Sequence, residues 1–200
     1  MEAVLPGEDM IRTVGVVMSG MWICWFAYWI ISAFGVKRVQ RRESGLSEAG
    51  YRIPLLLGIV VLLQGRRIGT GVWSERILPW SGPTAGLALV LVGSGLAFAV
   101  WARWHLAGNW SARVTVKEDH QLIRTGPYRW VRHPIYTGML VALLGTMIEI
   151  GTPAAFIAFG LIVFSFVWKL ALEERFMTAT FGADYERYRQ ETARLIPLVW

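Results

Sequence analysis

Twenty-three consecutive residues, Val14 to Val36, carry no charged side chain. A helix that crosses a bilayer needs roughly 20 mostly apolar residues, so this stretch alone predicts a membrane-embedded chain. Thr84 to Ala102 is a second charge-free run, rich in Gly and Ala as packed membrane helices often are. Pro134 to Ile150 and Thr152 to Leu172 are two further apolar spans with one charge each, Glu149 and Lys169, separated only by the break at Gly151-Thr152-Pro153, and together they predict a helical hairpin. Ile53 to Leu63 is short, and reaches spanning length when Ala49 to Gln64 is taken whole. The reading is five spans.

Charge placement agrees with that count. The 200 residues are 54% apolar and 17% charged, with a net charge of +6, which excludes a disordered, collagen-like or disulfide-built chain. Of the 20 basic residues, sixteen fall between spans one and two, between spans three and four, or from Lys169 onward. The other four, Arg12, Arg66, Arg67 and Arg76, lie on the opposite side. Cytoplasmic loops hold the excess of Lys and Arg, so the expected topology is N-terminus outside, with the C-terminus and any site beside it in the cytoplasm. The acidic flank of Glu2, Glu8 and Asp9 marks span one as a retained anchor rather than a cleaved signal. Topology and anionic lipid thus account for the basic balance, and nucleic acid is not expected as a partner. Eleven tryptophans fit a chain with much membrane–water boundary. Cys24 has no second cysteine to pair with.

The chain reads as one membrane domain, 1–200, with a three-span N-terminal part (1–102) and a polar-rich C-terminal part (103–200). Chemistry concentrates in the latter. Val114 and Val116 alternate with polar residues, a pattern for a short extended piece. Gly126-Pro127 signals a turn, and Pro134 suits the first turn of span four. His133 and Tyr136 then stand at the cytoplasmic mouth of that span. Lys169 and Glu173, four residues apart, share one face of span five, and Glu173-Glu174 are two carboxylates at its end. Phe181-Gly182 ends a helix, followed by an amphipathic tail with Asp184, Tyr185, Tyr188 and Arg194. His105, His120 and His133 lack zinc-site spacing, so no metal is expected. No phosphate-cradling glycine loop or Ser-His-Asp arrangement is present. From composition alone this collar also reads as plain interfacial anchoring, with Lys169–Glu173 an ordinary helix-end ion pair and Glu149 a snorkelling side chain.

The order of the polar pieces adds more. Asn109-Trp110-Ser111, His120-x-Leu122, Gly126-Pro127-Tyr128, Arg132-His133-Pro134-x-Tyr136-x-Gly138, Glu173-Glu174, Phe181-Gly182-x-x-Tyr185 and Arg194-x-x-Pro197 follow one another. This string, covering about half the chain, resembles the isoprenylcysteine carboxyl methyltransferase family, in particular its compact prokaryotic members. The resemblance implies an all-α integral membrane protein of the cell membrane. Its cytoplasmic cofactor pocket would be formed by the loop before span four and the C-terminal tail. It implies S-adenosylmethionine as cofactor and S-adenosylhomocysteine as product. Cofactor contacts are implied at Arg113, His120, Gln121, Leu122, Ile123, Tyr128, His133, Pro134, Ile135, Tyr136 and Glu173. Lys169 is implied to touch substrate, and Lys169 and Glu173 form the implied catalytic pair. The chain departs from the eukaryotic enzymes at Lys169, where they have Arg, and at Arg113, where they have an amide-bearing residue.

The implied acceptor is an amphiphile, a prenylcysteine-like or isoprenoid carboxylate reached from the lipid bilayer. An ionised carboxylate is already a nucleophile, so methylating it needs alignment rather than a base. Other readings stay open at this point. They are methylation of a phospholipid or other amine, an NADPH-dependent membrane reductase of sterol-reductase-like topology, and a non-catalytic chain retaining the fold.

Overall fold

Each apolar run is helical in the computed structural model of the chain, which describes residues 6–35, 39–42, 45–68, 71–107, 110, 115–117 and 122–197. The helices are α1 (Pro6–Ser32), α2 (Gly45–Ile68), α3 (Gly82–Leu106), α4 (Pro134–Ile150), α5 (Pro153–Phe181) and the short α6 (Ala183–Glu191). Three of them, α1 over Asp9–Ser32, α3 and α5, are long and apolar enough to cross a membrane. The chain is an integral membrane protein. Of the remaining long helices, α4 is apolar but has 17 residues. α2 has 24, with Pro54 inside it and a Glu48–Arg52 ion pair of 3.1 Å near its start. Its apolar middle is correspondingly short.

Small residues decide which helices touch. A Cβ built on Gly95 would lie 2.5 Å from the Gly138 carbonyl oxygen and 2.6 Å from the Ala142 nitrogen. One built on Gly145 would lie 2.7 Å from the Ala88 carbonyl. α3 and α4 therefore meet backbone to backbone, antiparallel, through the small-residue contact that membrane helices favour. α2 and α5 pair likewise, with Gly58 against Ala158 and Ile162 and the Ser165 hydroxyl donating to the Tyr51 carbonyl at 2.6 Å. The α4–α5 hairpin exists as a connection, with the turn at Gly151. Its two helices nevertheless pack chiefly on α3 and α2 rather than on each other.

α1 lies along α3, where Val14, Met18 and Trp25 pack with Ala85, Val92 and Leu96, and Trp22 donates to Thr146 of α4 at 3.1 Å. The buried Arg103 ties the ends of α1 and α3 by donating to the carbonyls of Ser32 and Ala107. At that same end two short strands, β1 (Val39–Arg42) and β2 (Thr115–Lys117), pair antiparallel. The extended piece around Val116 was expected; its partner inside the first basic loop was not. At the opposite end Ile77 and Leu78 donate to the Gly151 carbonyl, joining the α2–α3 and α4–α5 connections. Large apolar side chains such as Ile23, Ile31, Leu63 and Val90 face outward, as on helices surrounded by hydrocarbon.

Candidate functional site

Two polypeptide segments distant in sequence meet at the start of α4. The loop before it enters through a single helical turn, Gly126–Arg129. Gly126 has φ +58 and its α-carbon faces the His105 ring, so a side chain there would be strained and would collide. The segment after α6 then runs beside residues 131–133. The Arg132 amide donates to the Ala193 carbonyl at 2.8 Å and the His133 amide to the Arg194 carbonyl at 3.2 Å. Thr137 Oγ1 donates to the Leu195 carbonyl at 2.7 Å, and the Tyr188 hydroxyl to the Tyr128 carbonyl at 2.6 Å. The tail expected to lie at an interface instead turns its tyrosines inward: Tyr185 and Tyr188 are buried. Burial pushes the hydroxyls of Tyr128, Tyr185 and Tyr188 well above the usual tyrosine range.

Against this frame the end of α5 presents Lys169, Glu173 and Glu174. Tyr136 donates to Glu173 Oε1 at 2.7 Å. Lys169 Nζ stands 3.7 Å from the same oxygen, and His133 Nδ1 stands 3.7 Å from Oε2. The other His133 nitrogen is 3.3 Å from Glu174 Oε1. Glu174, the deeper carboxylate, is clamped by Arg132 Nε and by an Arg194 terminal nitrogen, each at 2.8 Å. The Lys169 ammonium lies 5.5 Å from the ring centres of both Tyr51 and Tyr136, within reach of a cation–π contact.

Of the residues singled out in the sequence, the structure brings together His133, Tyr136, Lys169 and Glu173. Ile123, Tyr128 and Ile135 form an apolar cluster with Ala102 beside them. Pro134 is buried at the first turn of α4 and Leu122 is half-buried. Arg113, His120 and Gln121 lie outside the described residues. Among the described residues no group of side chains forms a metal site. Sequence reasoning left Tyr51, Arg132, Arg194 and the role of Glu174 unassigned. Glu174 had a signal, as a second carboxylate at the end of a span. Tyr51, in α2, had none.

S-adenosylmethionine, the cofactor the resemblance implies, carries an ammonium and ribose hydroxyls, donors that need a hydrogen-bond acceptor. A carboxylate offers about four acceptor positions. Glu173 spends one on Tyr136, while Lys169 and His133 at 3.7 Å are beyond hydrogen-bond length. Glu173 is also 21% exposed, so it retains accepting capacity toward a ligand.

The chain matches the family model described as phospholipid methyltransferase over residues 83–184. It is 30% identical over 121 residues to a probable protein-S-isoprenylcysteine O-methyltransferase of Oryza sativa subsp. indica, covering 60% of this chain and 63% of that one. It is 35% identical over 83 residues to the protein-S-isoprenylcysteine O-methyltransferase of Schizosaccharomyces pombe, covering 41% and 35%. These relatives bear the name of the family that the ordered string resembles. The chain spans about three-fifths of the length of the rice relative. The fold is similar to that of a solved eukaryotic intramembrane Ras methyltransferase ICMT (isoprenylcysteine carboxyl methyltransferase). The TM-score is 0.53 at 22% identity, over 74% of this chain and 52% of that one.

Proposed function

Because this chain belongs to the phospholipid methyltransferase family, we propose that it is an S-adenosylmethionine-dependent methyltransferase acting at the membrane on the carboxylate of a prenylcysteine-like or isoprenoid amphiphile. The observation that carries this reading is the meeting of His133, Tyr136, Lys169 and Glu173 where α4 begins and α5 ends.

Bound there, S-adenosylmethionine supplies an electrophilic methyl group on a sulfonium. The chain supplies alignment, which can be worth roughly 7–11 kcal/mol when the reacting groups are well oriented. Glu173 accepts hydrogen bonds from the cofactor's hydroxyl or ammonium donors. Tyr136 and His133 hold the Glu173 side chain in place, and Tyr128, Ile123 and Ile135 wall the site from water. Arg113, His120, Gln121, Leu122 and Pro134 complete the cofactor contacts. Lys169, steadied between Tyr51 and Tyr136, orients an anionic acceptor whose apolar tail stays in the bilayer. The cytoplasm holds this end of the bundle and the C-terminus, and the N-terminus lies outside.

A second reading is supported by the description of the family model itself: methylation of a phospholipid amine. An amine acceptor must lose a proton, and the cation at Lys169 opposes a second cation beside it.

Calorimetric titration of the detergent-purified protein with S-adenosylhomocysteine, run beside NADPH, tests the class. Saturable S-adenosylhomocysteine binding with none for NADPH is expected. NADPH binding alone would replace the methyltransferase with a reductase. Turnover on a farnesylcysteine analogue against phosphatidylethanolamine then separates the two acceptors.

A further inference from the structure

A concavity opens beside the cluster, with a volume of about 770 Å³. It shares Arg132 and Glu174 with the cluster, but His133, Tyr136, Lys169 and Glu173 do not line it. Four arginines do, Arg129, Arg132, Arg189 and Arg194, against the carboxylates of Glu174 and Glu191. Glu174 is taken by Arg132 and Arg194. Arg189 is paired with Glu186 outside the lining, at 2.9 Å. Arg129 lies over the Trp130 ring at 5.4 Å, and among the described residues no carboxylate is within ion-pair distance of it. Counting Glu186, four guanidinium groups face three carboxylates, a formal balance of +1, with Arg132 and Arg194 sharing Glu174 and Arg129 paired to none of the described carboxylates. Arg132 spends Nε on Glu174 and one terminal nitrogen on the carbonyls of Arg189 and Thr192, leaving its second terminal nitrogen for a ligand. Planar guanidinium forks of this kind match the oxygens of a phosphate.

The position of the cavity indicates where such a phosphate comes from. Trp130 lines it, is 45% exposed and packs edge-on to Trp101 at 5.6 Å. Trp104, 73% exposed, stands at the same end of α3. Tryptophans so placed mark the membrane–water boundary, the depth of lipid headgroups. We propose that this cavity is a binding site for a phosphate oxyanion, supplied by the headgroup of an anionic phospholipid and separate from the acceptor site.

Native mass spectrometry of the detergent-solubilised protein tests this. Wild type is titrated with phosphatidylglycerol, phosphatidylcholine or inorganic phosphate, beside an Arg129→Gln/Arg189→Gln variant. The variant removes one unpaired cation and one exposed pair and is expected to melt at the wild-type temperature; Arg129→Gln alone serves should the double variant not fold. Wild type is expected to retain phosphatidylglycerol about thirty-fold better than the double variant, the loss of two cations near a lipid surface. Phosphatidylcholine retention should fall less than that of phosphatidylglycerol, because its choline cation offsets the phosphate charge, and an equal fall for both lipids overturns the preference for an anionic lipid. Equal phosphatidylglycerol retention by both proteins overturns the site. Phosphate bound by wild type alone, without a phosphatidylglycerol preference, overturns the lipid source and leaves a soluble anion as ligand. None of these outcomes depends on whether S-adenosylhomocysteine binds.

Discussion

Glu173 and Glu174 are neighbours in the chain with opposite surroundings. Successive residues on a helix point about 100° apart, so one carboxylate faces Tyr136 and Lys169 while the other faces two arginines. The ordinary i,i+4 pairing of Lys169 with Glu173 does form, at 3.7 Å, but the shorter bond is to Tyr136. That difference leads to separable outcomes. Glu173→Gln keeps the shape and loses the charge, so S-adenosylhomocysteine affinity should fall about tenfold or more, as for loss of a charged hydrogen bond. Lys169→Ala should leave that affinity near wild type and lower turnover on a carboxylate acceptor. Calorimetry and single-turnover assays read the two effects. Glu174→Ala should act differently again, leaving Arg132 and Arg194 without their carboxylate. Breaking a buried ion pair costs about 3–5 kcal/mol, which a thermal melt would register as a large drop. If it melts like wild type, Glu174 does not hold the tail to α4. His133, Tyr136 and Glu173 were legible because motif order marks them. Tyr51 was not, because its proximity to Lys169 depends on α2 packing against α5, and nothing in a one-dimensional string encodes that pairing.

Among elements, the apolar runs predicted the long helices well, since length and lack of charge are what a membrane helix requires. Pro134 does begin α4 and Gly182 does cap α5. Partner choice was less legible. The tight Gly151 turn joins α4 and α5 as the expected hairpin, and Leu143 meets Ile162 and Phe166 across it, yet the more extensive packing is between the small-residue faces of α3 and α4, which no turn signal marks. The consequence is measurable at single glycines. Gly138→Ala places a methyl 2.7 Å from the Ala99 nitrogen, a backbone atom that cannot swing aside. Overpacking of this kind costs about 1–3 kcal/mol. Gly160→Ala in α5 meets nothing within 4 Å, and Ala is the better helix former by roughly 0.8–1 kcal/mol. Thermal melts in one detergent should therefore fall for Gly138→Ala and hold or rise for Gly160→Ala. Equal shifts would mean that α3 and α4 do not touch as described.

For the whole molecule, the β1–β2 ladder constrains topology more than hydropathy does. Its strands precede α2 and follow α3, so the chain between them leaves one end of the bundle and returns to it. α3 is long and apolar enough to cross a membrane. A return to the same side then requires α2 to cross as well, despite Pro54 and its short apolar middle. Arg103 bonding to the Ser32 carbonyl at that end, and Ile77 and Leu78 bonding to Gly151 at the other, fit the same alternation. The expected arrangement is five crossings, with β1, β2 and the end of α5 on one side and the α2–α3 connection on the other. Single cysteines on a Cys24→Ser background test it in spheroplasts with a membrane-impermeant maleimide. Ser74→Cys should label before permeabilisation, and Gln40→Cys and Thr180→Cys only after it. Labelling of Gln40→Cys together with Ser74→Cys from outside would mean that α2 does not cross. The β1–β2 pairing would then have to be abandoned, because strands on opposite sides of a bilayer cannot share hydrogen bonds.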